Sequence, residues 1–270
     1  MTTFVPQEPL IDALETQWQA LHDLVSPLTD EQWTTESVLP GWQVRDIMAH
    51  IVGTESMISG LQPDETVDVK EREHVKNAIG ELNERWIDHY RARSRDALMA
   101  DFASVTAGRL KSLRGMTEGQ WDADSATPVG PDTYGRFMRV RDFDCWVHEI
   151  DLRDSLNLGK PENVAPAQFA IREIEMSLPY VVGKKARAEV GSVVAFDITG
   201  LYPLTIFIST EDRSAVVPAI EGKPDVTLKL DAVDLARLAG NRPLANPKNV
   251  EIIGDTDLGV AVVRSLHFMI

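Results

Sequence analysis

Apolar residues recur every three or four positions through most of the first 158 residues, which is the spacing of helices packed against a core. The pattern predicts helices over residues 9–24, 44–58, 76–91 and 95–113, and another that begins between Thr133 and Arg139 and runs to Leu158. A polar connection occupies residues 61–75. We therefore expect this half to be all helical, with four principal helices forming a bundle, an architecture whose core commonly houses metal ions.

The pattern changes after Gly159-Lys160-Pro161. One more helix is predicted over residues 166–182, followed by β-type runs at 193–199, 204–209, 215–217, 226–230 and 250–253, of which 226–230 alternates strictly between apolar and polar residues. Asp231 and Asp255 each precede a short helical pattern and suit the N-cap position. The prediction is an α plus α+β chain, with a helical bundle at residues 1–160 and a smaller α+β domain with an antiparallel sheet at 161–270.

The composition of the chain excludes several classes of protein and of binding partner. A hydrophobic content of 43% with six Trp suffices for packed cores in a chain of 270 residues. A formal charge of −15 disfavours nucleic acid and acidic membrane surfaces as partners. No stretch resembles a signal peptide or a membrane span, and the single cysteine, Cys145, excludes an internal disulfide, so we expect a cytoplasmic protein.

The last helix of the first half carries the candidate chemistry. Asp144 and His148 lie four residues apart and so share one face, and Asp151 extends that line. A carboxylate and an imidazole one turn apart can bind a divalent cation, and His50 on an earlier helix is the best third ligand. Zinc is the first choice, although this donor set also suits other first-row ions. The alternative is a packed His50 and an ordinary surface pair at Asp144 and His148.

Other polar residues have ordinary interpretations beside the functional ones. Asp151 either accepts a hydrogen bond from a ligating imidazole or is solvated. Arg242, in a Gly-Asn-Arg-Pro turn, either binds a substrate carboxylate or is a solvated turn residue. Asp46 is expected to complement the dipole of its helix, and Cys145 to point away from the metal. Surface or packing positions are predicted for the remaining histidines, which are His22, His74, His89 and His267.

Three segments resemble one known family. Residues 39–50, LPGWQVRDIMAH, resemble the opening motif of the mycothiol-dependent maleylpyruvate isomerase family, a branch of the DinB/YfiT-like metal-binding bundles of actinobacteria. Residues 144–153, DCWVHEIDLR, resemble its second metal motif. The stretch from Pro224 to Asp255 is similar to its sterol-carrier-like C-terminal domain.

The resemblance implies a metal held by His50, Asp144 and His148 and a reaction that joins mycothiol, a low-molecular-weight thiol, to a small electrophile. The isomerase itself has Glu at the position of Asp144, whereas Asp occurs in the mycothiol S-transferase branch, so S-transfer is the first expectation. Two alternatives stay open: the isomerase activity, and a non-catalytic protein that binds a metal or an apolar ligand.

Overall fold

The structure is a computed structural model that describes residues 2–63, 67–244 and 246–268. It divides into two compact units, one formed by Met1–Phe137 with Asp151–Gly159 and the other by Met138–Ile150 with Lys160–Ile270. The predicted domain boundary at residue 160 stays a prediction. Part of the predicted polar connection, residues 64–66, lies outside the described residues, and the rest of it forms no helix or strand.

Helices make up most of the first unit. The helix α3 packs against α4 and α5, and α1 packs against α5. Local capping explains several boundaries: Thr29 and Gln32 form a capping box, and Asn77 and Ser94 accept hydrogen bonds from the first turns of α4 and α5. The helical elements up to residue 155 are α1 (Gln7–Val25), α2 (Asp30–Trp33), α3 (Val44–Ile58), α4 (Ala78–Arg91), α5 (Arg95–Arg114), α6 (Glu118–Trp121) and α7 (Tyr134–Ser155).

The long helix α7 begins at Tyr134, where the Thr133 side chain caps it. It ends at Ser155 rather than at the predicted Leu158, because Asn157 takes a left-handed backbone with φ 54° that cannot continue a helix. Its apolar side chains Phe143, Trp146, Val147 and Ile150 are all buried in the core of the second unit. Among the described residues, no helix is both long and apolar enough to cross a lipid bilayer.

A five-stranded sheet organises the second unit, with strand order β5-β4-β3-β6-β7. The predicted antiparallel sheet is wrong in one pairing: β3 and β6 are parallel, so the sheet is mixed. The chain between β5 and β6 returns to the end of the sheet at which β3 begins, and β6 therefore runs in the same direction as β3. The strands are β3 (Val193–Thr199), β4 (Leu204–Ser209), β5 (Ala215–Val217), β6 (Val226–Asp231) and β7 (Glu251–Gly254).

Helices cover this sheet and complete its core. The predicted helix over 166–182 is observed as α8 (Val164–Tyr180), which passes into a π-helical turn at Val181–Lys185. Pro179 lacks the N–H that a regular last turn of α8 would use. The predicted caps Asp231 and Asp255 are confirmed at α9 (Ala232–Ala239) and α10 (Thr256–Ser265), and a 3₁₀ turn spans Pro247–Asn249.

The buried carboxylate of Asp132 holds the N-terminal segment of the chain. It leads to a prediction about how stability depends on pH. In the short hairpin of β1 (Asp124–Ser125) and β2 (Asp132–Thr133), Asp132 accepts hydrogen bonds from Thr3 N (2.7 Å) and Thr3 Oγ1 (2.8 Å) and pairs with Arg136 (2.8 Å). Burial raises the pKa of Asp132, but these hydrogen bonds and the ion pair lower it more, so its pKa lies below the usual range.

A carboxylate with a depressed pKa stabilises the fold above its unfolded pKa, about 3.9, and loses that contribution as pH falls toward the folded value. We expect Asp132→Asn to cost about 1.5–3 kcal/mol at pH 7, and less below about pH 4. Urea unfolding of both proteins across this pH range measures the difference. Asp124→Asn is the control, since that carboxylate is exposed on the partner strand. An unchanged difference between pH 7 and pH 3 would contradict the linkage.

Candidate metal centre

The turn before α3 fixes the position of His50. Gly41 has φ +82°, and a Cβ there would lie 2.5 Å from the His74 ring, so only glycine fits. The Asp46 carboxylate accepts a hydrogen bond from Gln43 N (2.8 Å) and another from Arg91 Nη2 (2.6 Å). Asp46 therefore serves the start of α3, which confirms its predicted structural role.

His50 is 6% exposed and lies beside the ring of Trp42, with 5.5 Å between the ring centroids. The Trp42 indole is itself held, because its Nε1 donates to Glu84 Oε1 at 2.5 Å. Glu84 is 1% exposed and also pairs with Arg72 and with His74 Nε2, the latter at 2.9 Å. The packing partner of the His50 ring is thus fixed by a buried ionic cluster.

Glu84 is charged in this cluster. Burial raises the pKa of Glu84, but hydrogen bonds from Arg72, His74 and Trp42 lower it more, and the net shift is downward. The sequence pattern did not indicate this cluster, since Arg72 and His74 lie in the polar connection and Glu84 lies on a separate element, α4. His74 is a packing residue, as predicted, although it has a charged partner.

The helix α7 presents the other two candidate ligands. Asp144 and His148 are one turn apart, and Asp144 Oδ1 lies 3.6 Å from His148 Nε2. The His148 side chain is 8% exposed and that of Asp144 is 26% exposed, so the carboxylate is the accessible member of the pair. The alternative of an ordinary surface pair is wrong, because the imidazole is buried.

His50, Asp144 and His148 converge. Each offers one ligand atom, and the three atoms all lie within 4.8 Å of one another. A tetrahedral ion with bonds of about 2.0–2.1 Å separates its ligand atoms by roughly 3.3 Å, close to the 3.6 Å between Asp144 Oδ1 and His148 Nε2. Two imidazole nitrogens and one carboxylate oxygen are a donor set that first-row divalent ions accept, so the residues present fit such an ion.

Other predicted site residues have varied surroundings. Asp151 is fully buried, which rules out a solvated carboxylate, and its role beside a ligating imidazole stays a prediction. Cys145 and Glu149 are fully buried on α7 and are not part of the converging group. Arg242 is half-buried and donates from Nη1 to Gly240 O at 2.5 Å, and its predicted substrate contact stays a prediction.

Two further buried charged residues of α7 were not predicted from the sequence. Asp142 is fully buried, neither of its oxygens accepts a hydrogen bond within the described part of the chain, and burial raises its pKa well above the usual value. Arg141 is 5% exposed and donates from Nη1 to Asp144 Oδ2 at 2.5 Å. The three-residue spacing between Arg141 and Asp144 could have indicated the ion pair. The burial of Arg141 could not be inferred from the sequence.

Comparison with protein families finds two matches. Residues 14–153 match the mycothiol maleylpyruvate isomerase N-terminal domain, and residues 176–266 match the SCP-2 sterol transfer family. The first match spans more than half of the chain and includes His50, Asp144 and His148. The predicted fold class is confirmed: a helical, DinB-like N-terminal domain precedes an SCP2-like domain, which has a mixed sheet.

Two solved structures resemble the chain. One is the mycothiol-dependent maleylpyruvate isomerase, with a TM-score of 0.57, and the other is a mutant of that enzyme with one histidine replaced by alanine, with a TM-score of 0.55. Each is 18% identical, with 93% of this chain and 95% of the other chain covered. At this identity the likeness establishes the fold. No curated protein gives a significant match.

Proposed function

Because this chain belongs to the mycothiol maleylpyruvate isomerase N-terminal domain family, and so to a family of enzymes, we propose that it is a divalent-metal-dependent enzyme that uses mycothiol. We further propose that it joins the thiol, through its sulfur atom, to a small electrophile. The observation that carries the proposal is the convergence of one ligand atom each from His50, Asp144 and His148. The solved relatives are named for their dependence on mycothiol, which supports mycothiol as the thiol.

The three side chains are proposed to hold the ion, with zinc as the first candidate. His50 and His148 would bind through neutral imidazole nitrogens, and Asp144 through a carboxylate oxygen. Three protein ligands leave at least one position for an exogenous group, as in catalytic rather than structural zinc sites. Burial of both imidazoles limits the water that reaches them. Asp151 is proposed to orient one of these rings, which would explain a fully buried carboxylate so close in sequence.

Activation of the thiol is the step that such a site serves. A free alkyl thiol has a pKa of about 8.5 and is mostly protonated at neutral pH, whereas the nucleophile is the thiolate. A divalent cation with an open position, when bound, favours the deprotonated form of a coordinating thiol. The arrangement of His50, Asp144 and His148 would determine where that open position lies. Arg242 is proposed to bind a carboxylate of the electrophile.

In S-transfer, the thiolate sulfur forms a bond to an electrophilic carbon. A leaving group departs with its electron pair, or a proton adds to the neighbouring carbon of an activated double bond. The product is a stable S-conjugate. Asp144 supports this reaction, because the motif resembles the S-transferase branch, in which Asp stands in place of the Glu of the isomerase.

Maleylpyruvate isomerisation is the second candidate, favoured by the name of the solved relatives. There the thiolate would add to the double bond, the resulting single bond would rotate, and elimination would return the thiol with the trans product. No atom is gained or lost overall.

A non-catalytic binding protein is not favoured, because the family match points to enzymes. A cytoplasmic location, where low-molecular-weight thiols stay reduced, suits either reaction.

A thiol panel tests the proposal. The purified protein, analysed for metal and then loaded with Zn²⁺, is assayed with mycothiol, bacillithiol and glutathione against a bimane electrophile and a haloarene, and with mycothiol against maleylpyruvate. We expect mycothiol-dependent conjugation that a chelator removes and Zn²⁺ restores. Isomerisation of maleylpyruvate without conjugation would select the second candidate. A protein that binds no metal, forms no S-conjugate and does not isomerise maleylpyruvate would refute both.

A further inference from the structure

Arg141 divides the two oxygens of Asp144 between different partners. Its Nη1 lies 2.5 Å from Asp144 Oδ2, whereas Oδ1 of the same carboxylate lies 3.6 Å from His148 Nε2. The second terminal nitrogen, Nη2, lies 3.7 Å from Cys145 Sγ. The oxygen that lies near His148 is therefore Oδ1.

We propose that Arg141 is a positioning residue that restricts Asp144 to a single oxygen toward the metal. This inference rests on the proposed function. A carboxylate with both oxygens available can bind an ion through both, which would fill a coordination position. A guanidinium that holds Oδ2 prevents this, so the position stays open for the sulfur of the thiol.

The charge of Arg141 acts in the same direction. The positive charge of the guanidinium offsets the negative charge of the carboxylate. A divalent ion held by Asp144 and two neutral imidazoles would therefore keep a net charge of about +2 on the site. A thiolate is then bound more strongly than it would be if Asp144 neutralised half of that charge. The metal itself is bound less strongly for the same reason, because a cation lies close to it.

Burial distinguishes this pair from an ordinary helical ion pair. Pairs three residues apart on helix surfaces contribute little to stability and are usually solvated. The Arg141 side chain is 5% exposed, and a guanidinium so buried must be paired because its desolvation is costly. Removing Arg141 therefore takes the guanidinium away from Asp144 Oδ2, which would allow this oxygen to bind the ion as well.

The test uses the Co²⁺-loaded full-length protein and the variants Arg141→Met and Arg141→Lys. In Arg141→Met we expect Co²⁺ affinity equal to or higher than in the wild type, a visible absorption weakened by the rise in coordination number, and mycothiol binding weakened about tenfold or more. Mycothiol binding is read from the sulfur-to-cobalt charge-transfer band. Arg141→Lys keeps the charge and one donor, and should restore most of the wild-type spectrum.

Two controls separate this inference from the function on which it rests. Asp144→Asn removes the carboxylate, so adding Arg141→Met to it should not change the spectrum further. Arg114→Met removes an arginine of α5 whose side chain is 42% exposed, and it should leave the spectrum unchanged. An Arg141→Met protein with the wild-type spectrum and thiol affinity, or with uniformly weaker Co²⁺ binding, overturns the positioning role alone. A wild-type protein that binds no Co²⁺ overturns the proposed function together with it.

Discussion

Replacing His50 by alanine is expected to remove stoichiometric metal from the purified protein and to lower thiol-transfer activity by about 100-fold or more. Even the loss of a residue that merely orients a metal ligand costs about 10- to 100-fold, and His50 is proposed as a ligand itself. It also supplies the only candidate ligand atom from α3 in the described cluster. Metal analysis and the mycothiol assay measure the two effects on the same sample.

The matched control is His22→Ala. His22 lies on α1 with 44% of its side chain exposed and is not part of the cluster, so metal content and activity should be unchanged. His148→Ala should behave like His50→Ala. Full metal content and full activity in His50→Ala would show that the metal, if present, is held elsewhere, and the proposed function would lose its main support.

Replacing Arg109 by methionine should cause a large loss of stability. Arg109 on α5 donates from Nε to Glu55 Oε2 on α3 at 3.1 Å and from Nη2 to the Tyr134 hydroxyl at 2.8 Å. The side chains of Arg109 and Glu55 are 7% and 1% exposed. Removal of one partner leaves a buried charge without its counter-ion, which costs about 3–5 kcal/mol.

Thermal and urea unfolding measure this loss. For a protein of this size each kcal/mol lowers Tm by about 2–4 °C, so a fall of roughly 6–20 °C is expected. The double variant Glu55→Leu with Arg109→Met removes both charges, and it should recover much of the stability because apolar side chains often replace a buried ion pair without loss. A single variant as stable as the wild type would show that water reaches Glu55, and the pair would then contribute little.

Local patterns account for most of the helical elements. Caps such as Thr29 and Asp255 act within one turn, so their neighbours in sequence suffice to place helix ends. The predicted end of α7 was wrong because the left-handed backbone at Asn157 is not required by its residue type. The parallel pairing of β3 with β6 was also missed, since it depends on the route of the chain between distant strands rather than on alternation within either one.

By itself the sequence determined the face shared by Asp144 and His148, because four residues are one turn of any helix. The sequence also offered His50 as the best third ligand, and the resemblance of two motifs supported that choice. Only the tertiary structure decided that His50 lies within 4.8 Å of that pair, that Glu84 fixes the Trp42 ring beside it, and that Arg141 is buried against Asp144. Spacing along a helix fixes directions over one or two turns, whereas burial and distance depend on how helices far apart in sequence pack together.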